Sequence, residues 1–192
     1  MKKTAVLSFS LLILVACVFA ALESAAGGQA PAADQKSQLA RGEYLVTVGG
    51  CADCHSPKVF SSKGPVPDPA RFLAGTSSQT KVPAIPPGVL TQEGWGALTT
   101  NDLTIWAGPW GVSFAANLTP DKTTGLGSWT EAAFVNSMRT GKHKGALRDI
   151  LPPMPWQALS KMSDSDLKAM FAYLRSIKPI QNKVPDPIPP KH

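Results

Sequence analysis

Three side chains able to bind metals or form thioethers fall within five residues, in the run Cys51-Ala52-Asp53-Cys54-His55. Two thiols separated by two residues, with an imidazole directly after them, fit three kinds of chemistry. They could ligate a zinc ion, form a redox-active dithiol, or attach a haem covalently with the histidine as an iron ligand. The five residues alone do not decide between these.

The rest of the chain favours haem attachment. A structural zinc site needs four protein ligands, and the other two histidines, His143 and His192, are isolated in the sequence. A thiol oxidoreductase places its cysteine pair at a helix start after a strand, whereas here an amphipathic helix is predicted before the pair. The motif then supplies Cys51 and Cys54 for two thioether bonds and His55 as an axial ligand.

An electron-carrying haem usually has a second axial ligand, and methionine is the ligand that raises its reduction potential. Met154 lies in Leu151–Trp156 (LPPMPW), where three prolines fix the backbone and present one thioether on a rigid loop. Three other methionines lie on or beside predicted helices, where packing is the expected role: Met138, Met162 and Met170. Met154 is therefore the predicted sixth ligand, and His143 is the alternative.

Three amphipathic helices are predicted around these ligands, over residues 34–48, 130–140 and 164–178. Their predicted buried stripes are Ala40, Tyr44 and Val48 in the first, Phe134 and Met138 in the second, and Leu167, Met170, Phe171, Leu174 and Ile177 in the third. Capping boxes are predicted from Ser128 with Glu131 and from Ser163 with Asp166.

Two segments are predicted to lack regular structure. Residues 56–111 contain eight prolines and seven glycines, so they are expected to form mostly loop, with one turn near 70–73. Residues 180–192 are rich in proline and charge and are expected to be an extended, mobile tail.

The N-terminus predicts export. Two lysines, an apolar run and then small residues match a signal peptide over residues 1–26. The run Leu14–Cys17 also resembles the lipobox of bacterial lipoproteins, in which Cys17 would be acylated. The predicted location is the periplasm, with membrane attachment only if Cys17 is lipidated or the signal stays uncleaved.

The net charge of +6 is concentrated in residues 130–192, which hold ten Lys/Arg against five Asp/Glu. This imbalance favours an acidic docking surface on a partner. The charges are scattered rather than grouped in a block, so nucleic-acid binding is not predicted.

Four segments together resemble the class I c-type cytochromes, in particular exported mono-haem members and cytochrome domains that serve bacterial dehydrogenases. The segments are RGEYLVTVGGCADCHSP (41–57), AANLTPDKTTGLGSWTEAAFVNSMRTG (116–141), LPPMPW (151–156) and DLKAMFAYLRSIKPIQNKVP (166–185). The resemblance implies an all-α class I cytochrome c fold over 34–179, with terminal helices crossing around one covalently bound haem c and a long Pro/Gly-rich loop insertion.

The resemblance also implies roles for individual residues. Cys51 and Cys54 would form the thioethers, His55 would be the proximal ligand and Met154 the distal one. The helices would cross where Gly42 and Tyr44 meet Ala172-Tyr173. A backbone carbonyl should orient the proximal histidine, and Pro109 is the candidate.

The implied function is a one-electron carrier between exported redox proteins, on the side of a dehydrogenase or of a terminal oxidase or reductase. The carrier would have no enzymatic activity of its own. Two alternatives stay open: a subunit held permanently in a dehydrogenase complex, and a haem enzyme or sensor with a labile sixth ligand.

Overall fold

A computed structural model describes residues 32–62, 64–90 and 94–190. The predicted signal segment, residues 1–26, lies outside them. The chain divides into two units, Met1–Gln35 and Lys36–His192, and the first is described only from residue 32. Across the described ranges, no helix combines the length and the apolar character needed to cross a membrane.

Helices lie on either side of a segment of short strands, and an extended segment follows the last helix. The described helices are α1 (Ala32–Val48), α2 (Cys51–His55), α3 (Glu131–Thr140), α4 (Trp156–Leu159) and α5 (Asp164–Ser176). The described strands are β1 (Lys58–Ser61), β2 (Gly64–Pro67), β3 (Leu98–Thr99), β4 (Ile105–Gly108) and β5 (Gly111–Phe114). The predicted helices are present, but the architecture is mixed rather than purely all-α.

Helices α1 and α5 approach closely at Gly42. A Cβ atom placed there would lie 2.0 Å from the carbonyl oxygen of Ala169 and 2.8 Å from Cβ of Tyr173. The neighbouring Arg41 donates from Nε to the carboxylate of Asp166 over 2.9 Å. Glycine is therefore the residue that lets the two backbones meet, and the structure confirms a contact between Gly42 and α5.

The predicted buried face of α1 is wrong. Its three members, Ala40, Tyr44 and Val48, are all exposed, and the Tyr44 ring lies beside the Arg41 guanidinium at 5.6 Å instead. The buried positions are Gly42 and Val46. Helical periodicity fits the predicted stripe and the observed one equally well. Only the observed stripe contains a residue without a side chain, Gly42, at the point where α5 passes.

The main core lies between α1, α3 and α5. Phe134 of α3 and Phe171 of α5 stack with their ring centroids 5.2 Å apart. The buried members of this cluster are Val46, Leu73, Leu126, Phe134, Met138, Leu167, Met170, Phe171 and Leu174. The predicted stripes of the second and third helices are thus confirmed, with Ile177 packed against the cluster at its edge.

The two predicted helix starts have different outcomes. Ser163 caps α5 as expected, because its hydroxyl accepts from the backbone N–H of Asp166 at 3.1 Å. Ser128 does not cap α3, because it lies in a short 3-10 turn. Thr130 takes the place of Ser128, accepting from the N–H of Ala133 at 3.1 Å.

The Pro/Gly-rich segment is more ordered than predicted. Strands β1 and β2 form a hairpin, and β3, β4 and β5 form an antiparallel sheet in that order. The expected turn near 70–73 is present as a 3-10 turn at Pro69–Arg71. These strands are two to four residues long, which is too short for a period-of-two pattern to stand out.

The C-terminal segment is extended and is held at two positions. Ile188 and Val112 of β5 exchange backbone hydrogen bonds of 2.7 and 3.0 Å. The side-chain amide of Asn182 donates to the carbonyls of Ala74 and Thr76 over 2.7 and 2.8 Å. The segment is thus hydrogen-bonded to the rest of the domain at Asn182 and Ile188, and its expected mobility stays a prediction.

Candidate haem site

The helix α2 carries Cys51, Cys54 and His55 on about one and a half turns. Gly50 precedes it in the left-handed conformation, with φ of 63°, which lets the chain reverse directly after α1. The backbone N–H of Asp53 donates to the Gly50 carbonyl over 2.9 Å. The five-residue motif is therefore a separate short helix.

Lys58 secures the other end of α2. Its ammonium group donates to the carbonyl oxygens of Ala52, Asp53 and Ser56 over 3.1, 2.7 and 2.7 Å. These carbonyls lie at a helix C-terminus, where a positive charge is favourable. Sequence reasoning missed this residue, although a lysine just after a short helix is a recognisable capping signal.

His55 is buried and its orientation is fixed. Its Nδ1 lies 2.8 Å from the carbonyl oxygen of Ala116, and because a carbonyl can only accept, Nδ1 carries the proton. Burial lowers the pKa of His55 and so favours the neutral imidazole, in which Nε2 carries the lone pair that could bind a metal. Pro109 is thus the wrong candidate for this carbonyl.

The two thiols are protonated at neutral pH. Cys51 and Cys54 are free and partly buried. Burial raises the pKa of Cys51 to about 11 and also raises the pKa of Cys54. A redox-active dithiol needs a lowered thiol pKa. The raised pKa values therefore give the dithiol alternative no support. Within the described residues no three His, Cys, Asp or Glu side chains are grouped to hold a metal ion, which gives the zinc alternative no support either.

Met154 lies on a loop that is anchored from two directions. Ser113 donates from its hydroxyl to the carbonyl of Pro152 over 2.6 Å, and the ring of Trp156 fills the space where a Cβ at Gly141 would lie. Met154 itself is partly buried. It packs against the main core, as Cys51 does.

The other methionines and His143, which could also be considered as the sixth ligand, have structural contacts of their own. Met138 and Met170 are buried in the core at 7% and 3% exposure, and Met162 packs partly buried against it. His143 packs edge-on against Trp129, with ring centroids 5.0 Å apart. Burial lowers the pKa of His143, with a further contribution from Arg148. The choice of Met154 as ligand stays a prediction.

The donor set fits a covalently attached haem. It comprises one oriented neutral imidazole, one thioether on an anchored loop and two protonated thiols, which are the groups that a c-type haem uses. In the described part of the chain, no buried side-chain nitrogen or oxygen lacks a hydrogen-bond partner.

Known proteins with similar sequences come from bacterial dehydrogenases. The chain is 30% identical over 141 residues to the gluconate 2-dehydrogenase cytochrome c subunit of Pantoea cypripedii, covering 73% of this chain and 23% of the relative. It is 27% identical over 157 residues to the fructose dehydrogenase cytochrome subunit of Gluconobacter japonicus, covering 81% and 24%. The chain is similar to cytochrome c subunits.

A third relative matches over a shorter range. The chain is 36% identical over 81 residues to the cytochrome c subunit of the quinone-dependent alcohol dehydrogenase of Gluconobacter oxydans, which is 41% of this chain and 17% of the relative. No protein-family model matches the chain. The chain thus spans 17% to 24% of the length of these three relatives, and the similarity supports a cytochrome c family.

Proposed function

We propose that residues 34–179 form a class I, mono-haem c-type cytochrome domain that carries single electrons in the periplasm. Cys51 and Cys54 hold the haem by thioether bonds, and His55 and Met154 are its axial ligands. The bound group supplies an Fe(III)/Fe(II) couple. The domain moves electrons and catalyses no reaction of its own.

The observation that carries this proposal is the state of His55. A buried imidazole whose Nδ1–H is bonded to the Ala116 carbonyl and whose pKa is lowered by burial keeps Nε2 as the ring atom that can bind a metal. Its position directly after the second cysteine, on the same short helix, is the arrangement that covalent haem attachment requires.

Met154 is proposed as the ligand that keeps the sixth position closed. It is a soft thioether that favours the reduced state and so raises the potential. The loop that carries it is held by Ser113 and by the packing of Trp156 on Gly141. A closed sixth position supports electron transfer and disfavours the alternative of an enzyme or sensor with a labile ligand.

The electron partner is proposed to lie on the dehydrogenase side. The similar proteins are named as subunits of gluconate, fructose and alcohol dehydrogenases, which supports either a carrier that such an enzyme reduces or a subunit that stays bound to it. The basic residues of 130–192 favour an acidic docking surface. Purification from the native membrane or periplasm distinguishes the two forms, because only the permanently bound form co-purifies as a large assembly.

The axial ligand is tested by replacing methionine with leucine, which keeps the volume and removes the sulfur. Met154→Leu should abolish the weak red charge-transfer band of a Met–iron bond in the ferric protein. Met162→Leu is the matched control, because Met162 is also a partly buried methionine packed on the same core. An unchanged spectrum in Met154→Leu would exclude it as the ligand, and His143→Gln then tests the alternative.

Mass analysis of the exported protein tests the attachment and the N-terminus together. The expected mass is that of the processed chain plus one haem, with no haem released by acidic acetone. Cleavage near residue 26 supports the signal peptide, and a lipid-modified Cys17 supports the lipobox alternative. Extraction of the haem by acidic acetone would refute the proposed thioethers.

A further inference from the structure

The sheet of β3, β4 and β5 has one face with its own core and another face from which Ser113 bonds to the loop that carries Met154. Its apolar face forms a small buried cluster of Ile105, Ala107 and Val112. Trp106 and Ser113 are cross-strand partners and lie on the opposite face, because side chains alternate along a strand. Trp106 donates its indole Nε1–H to the Leu103 carbonyl over 2.8 Å, and Ser113 bonds to the Met154 loop. The sheet therefore reaches the Met154 loop through Ser113.

Ser113 is a buried polar residue with a defined hydrogen-bond geometry. It is 8% exposed, and its Oγ lies 2.6 Å from the carbonyl oxygen of Pro152. The second possible acceptor, the Trp106 carbonyl, is 3.4 Å away, so the hydroxyl proton is directed to Pro152. The indole Nε1–H of Trp110 donates to the same Oγ over 3.2 Å. This second bond orients the hydroxyl towards the Met154 loop.

The same stretch of chain also holds the proximal ligand. Ala116, three residues after Ser113, supplies the carbonyl that accepts from His55 Nδ1. The stretch is fixed on both edges: β5 pairs with β4 on one side and with Ile188 on the other. The N–H of Ala115 is bonded to the Thr104 carbonyl over 2.8 Å. Residues 113–116 thus bond directly to His55 and, through Pro152, to the loop that carries Met154.

We propose that Ser113 is a positioning residue for Met154, and that residues 113–116 set the separation between the loops that carry the two axial ligands. This inference rests on the proposed function. Without the hydroxyl, the Pro152 carbonyl loses its bond to the sheet and the Met154 loop gains freedom. The thioether then spends more time away from the iron, and an external ligand competes for the sixth position more successfully.

The test is imidazole binding to the purified ferric holoprotein, followed by the loss of the Met–iron charge-transfer band. Ser113→Ala should bind imidazole roughly three- to tenfold more tightly than wild type, the change expected for one lost hydrogen bond. Ser113→Thr retains a hydroxyl and should restore an affinity near that of wild type. Thr99→Ala is the matched control, because Thr99 donates its hydroxyl to the Ile105 carbonyl of the same sheet, away from the Met154 loop.

An unchanged imidazole affinity in Ser113→Ala overturns the proposal, even if the variant is less stable, because stability alone reports a structural role. If Ser113→Ala does not fold, Trp110→Phe removes the donor that orients the hydroxyl and should raise the affinity by a smaller factor. An unchanged affinity in that variant also overturns the proposal. Failure of the proposed function is distinguishable: the wild type itself would lack the Met–iron band.

Discussion

Replacing Gly42 with alanine tests the crossing of α1 and α5 on which the domain is built. In an isolated helix the change stabilises by about 1 kcal/mol, because alanine has the higher helix propensity. In this structure the new Cβ would lie 2.0 Å from the Ala169 carbonyl oxygen and 2.6 Å from the Ala169 carbonyl carbon. Propensity and packing therefore predict opposite signs.

The size of the effect follows from which atoms collide. Ordinary van der Waals contact begins at 3.4 Å, so α5 must move away from α1 by more than 1 Å. The obstructing atoms belong to the backbone and cannot rotate aside. Overpacking of this kind costs up to about 3 kcal/mol, which leaves a net destabilisation of about 2 kcal/mol after the gain in propensity. The melting temperature should fall by roughly 4–8 °C.

The assay is guanidinium chloride unfolding of the purified holoprotein, followed by far-UV circular dichroism, with wild type and variant compared at equal concentration. Gly96→Ala is the control, because a Cβ at Gly96 meets nothing within 4 Å, and it should not be destabilising. A midpoint for Gly42→Ala at or above that of wild type would show that propensity dominates. The close approach of the two helices would then be wrong.

Two further predictions concern polar contacts. Lys58→Met should lower the unfolding free energy by about 1–2 kcal/mol, because three carbonyls at the end of α2 lose a charged donor. Lys81→Met, at an exposed site, is the control, and equal effects of the two substitutions would contradict the role of Lys58 as a helix cap. Bonds from Thr124 and Thr123 lower the pKa of Asp121 from 3.8 to about 2, so this carboxylate stabilises the fold above pH 3.8 and the contribution is lost towards pH 2. Asp121→Asn should therefore lower the urea midpoint at about pH 6 but not near pH 2, and a pH-independent difference would refute the assignment.

The sequence was most informative where local chemistry decides the structure. Helices α3 and α5 were predicted within two residues at each end. Gly141 marks the end of α3 through its backbone conformation, and Ser163 marks the start of α5 through its side chain. The stripes of these helices were also correct, since their apolar positions admit one buried face. The buried face of α1 was predicted wrongly. A weakly amphipathic helix does not specify its buried side, which depends instead on the helix that crosses it.

The residues that support the candidate site were mostly invisible in the sequence. The Ala116 carbonyl that orients His55 belongs to the backbone, so no side-chain type marks it. Ser113 and Asn182 act over 39 residues and over more than 100 residues respectively, and a lone serine or asparagine in a loop has no periodicity. The candidate haem-binding residues do have side chains whose types indicate their chemistry, and their roles as ligands stay predictions: Cys51, Cys54, His55 and Met154.

The sheet that begins at the end of the Pro/Gly-rich insertion has a physical reason to be ordered. A rigid sixth ligand requires a loop with little freedom, and prolines limit only the backbone angles of that loop, not its position relative to the histidine. To fix the position of the Met154 loop relative to His55, a rigid element must contact both of them. Strand β5 meets this requirement, because it pairs on both edges and bonds to Pro152 through Ser113. Its continuation bonds to His55 through Ala116. The sheet that begins in the insertion, with its continuation to Ala116, thus connects the segment of His55 with the loop of Met154.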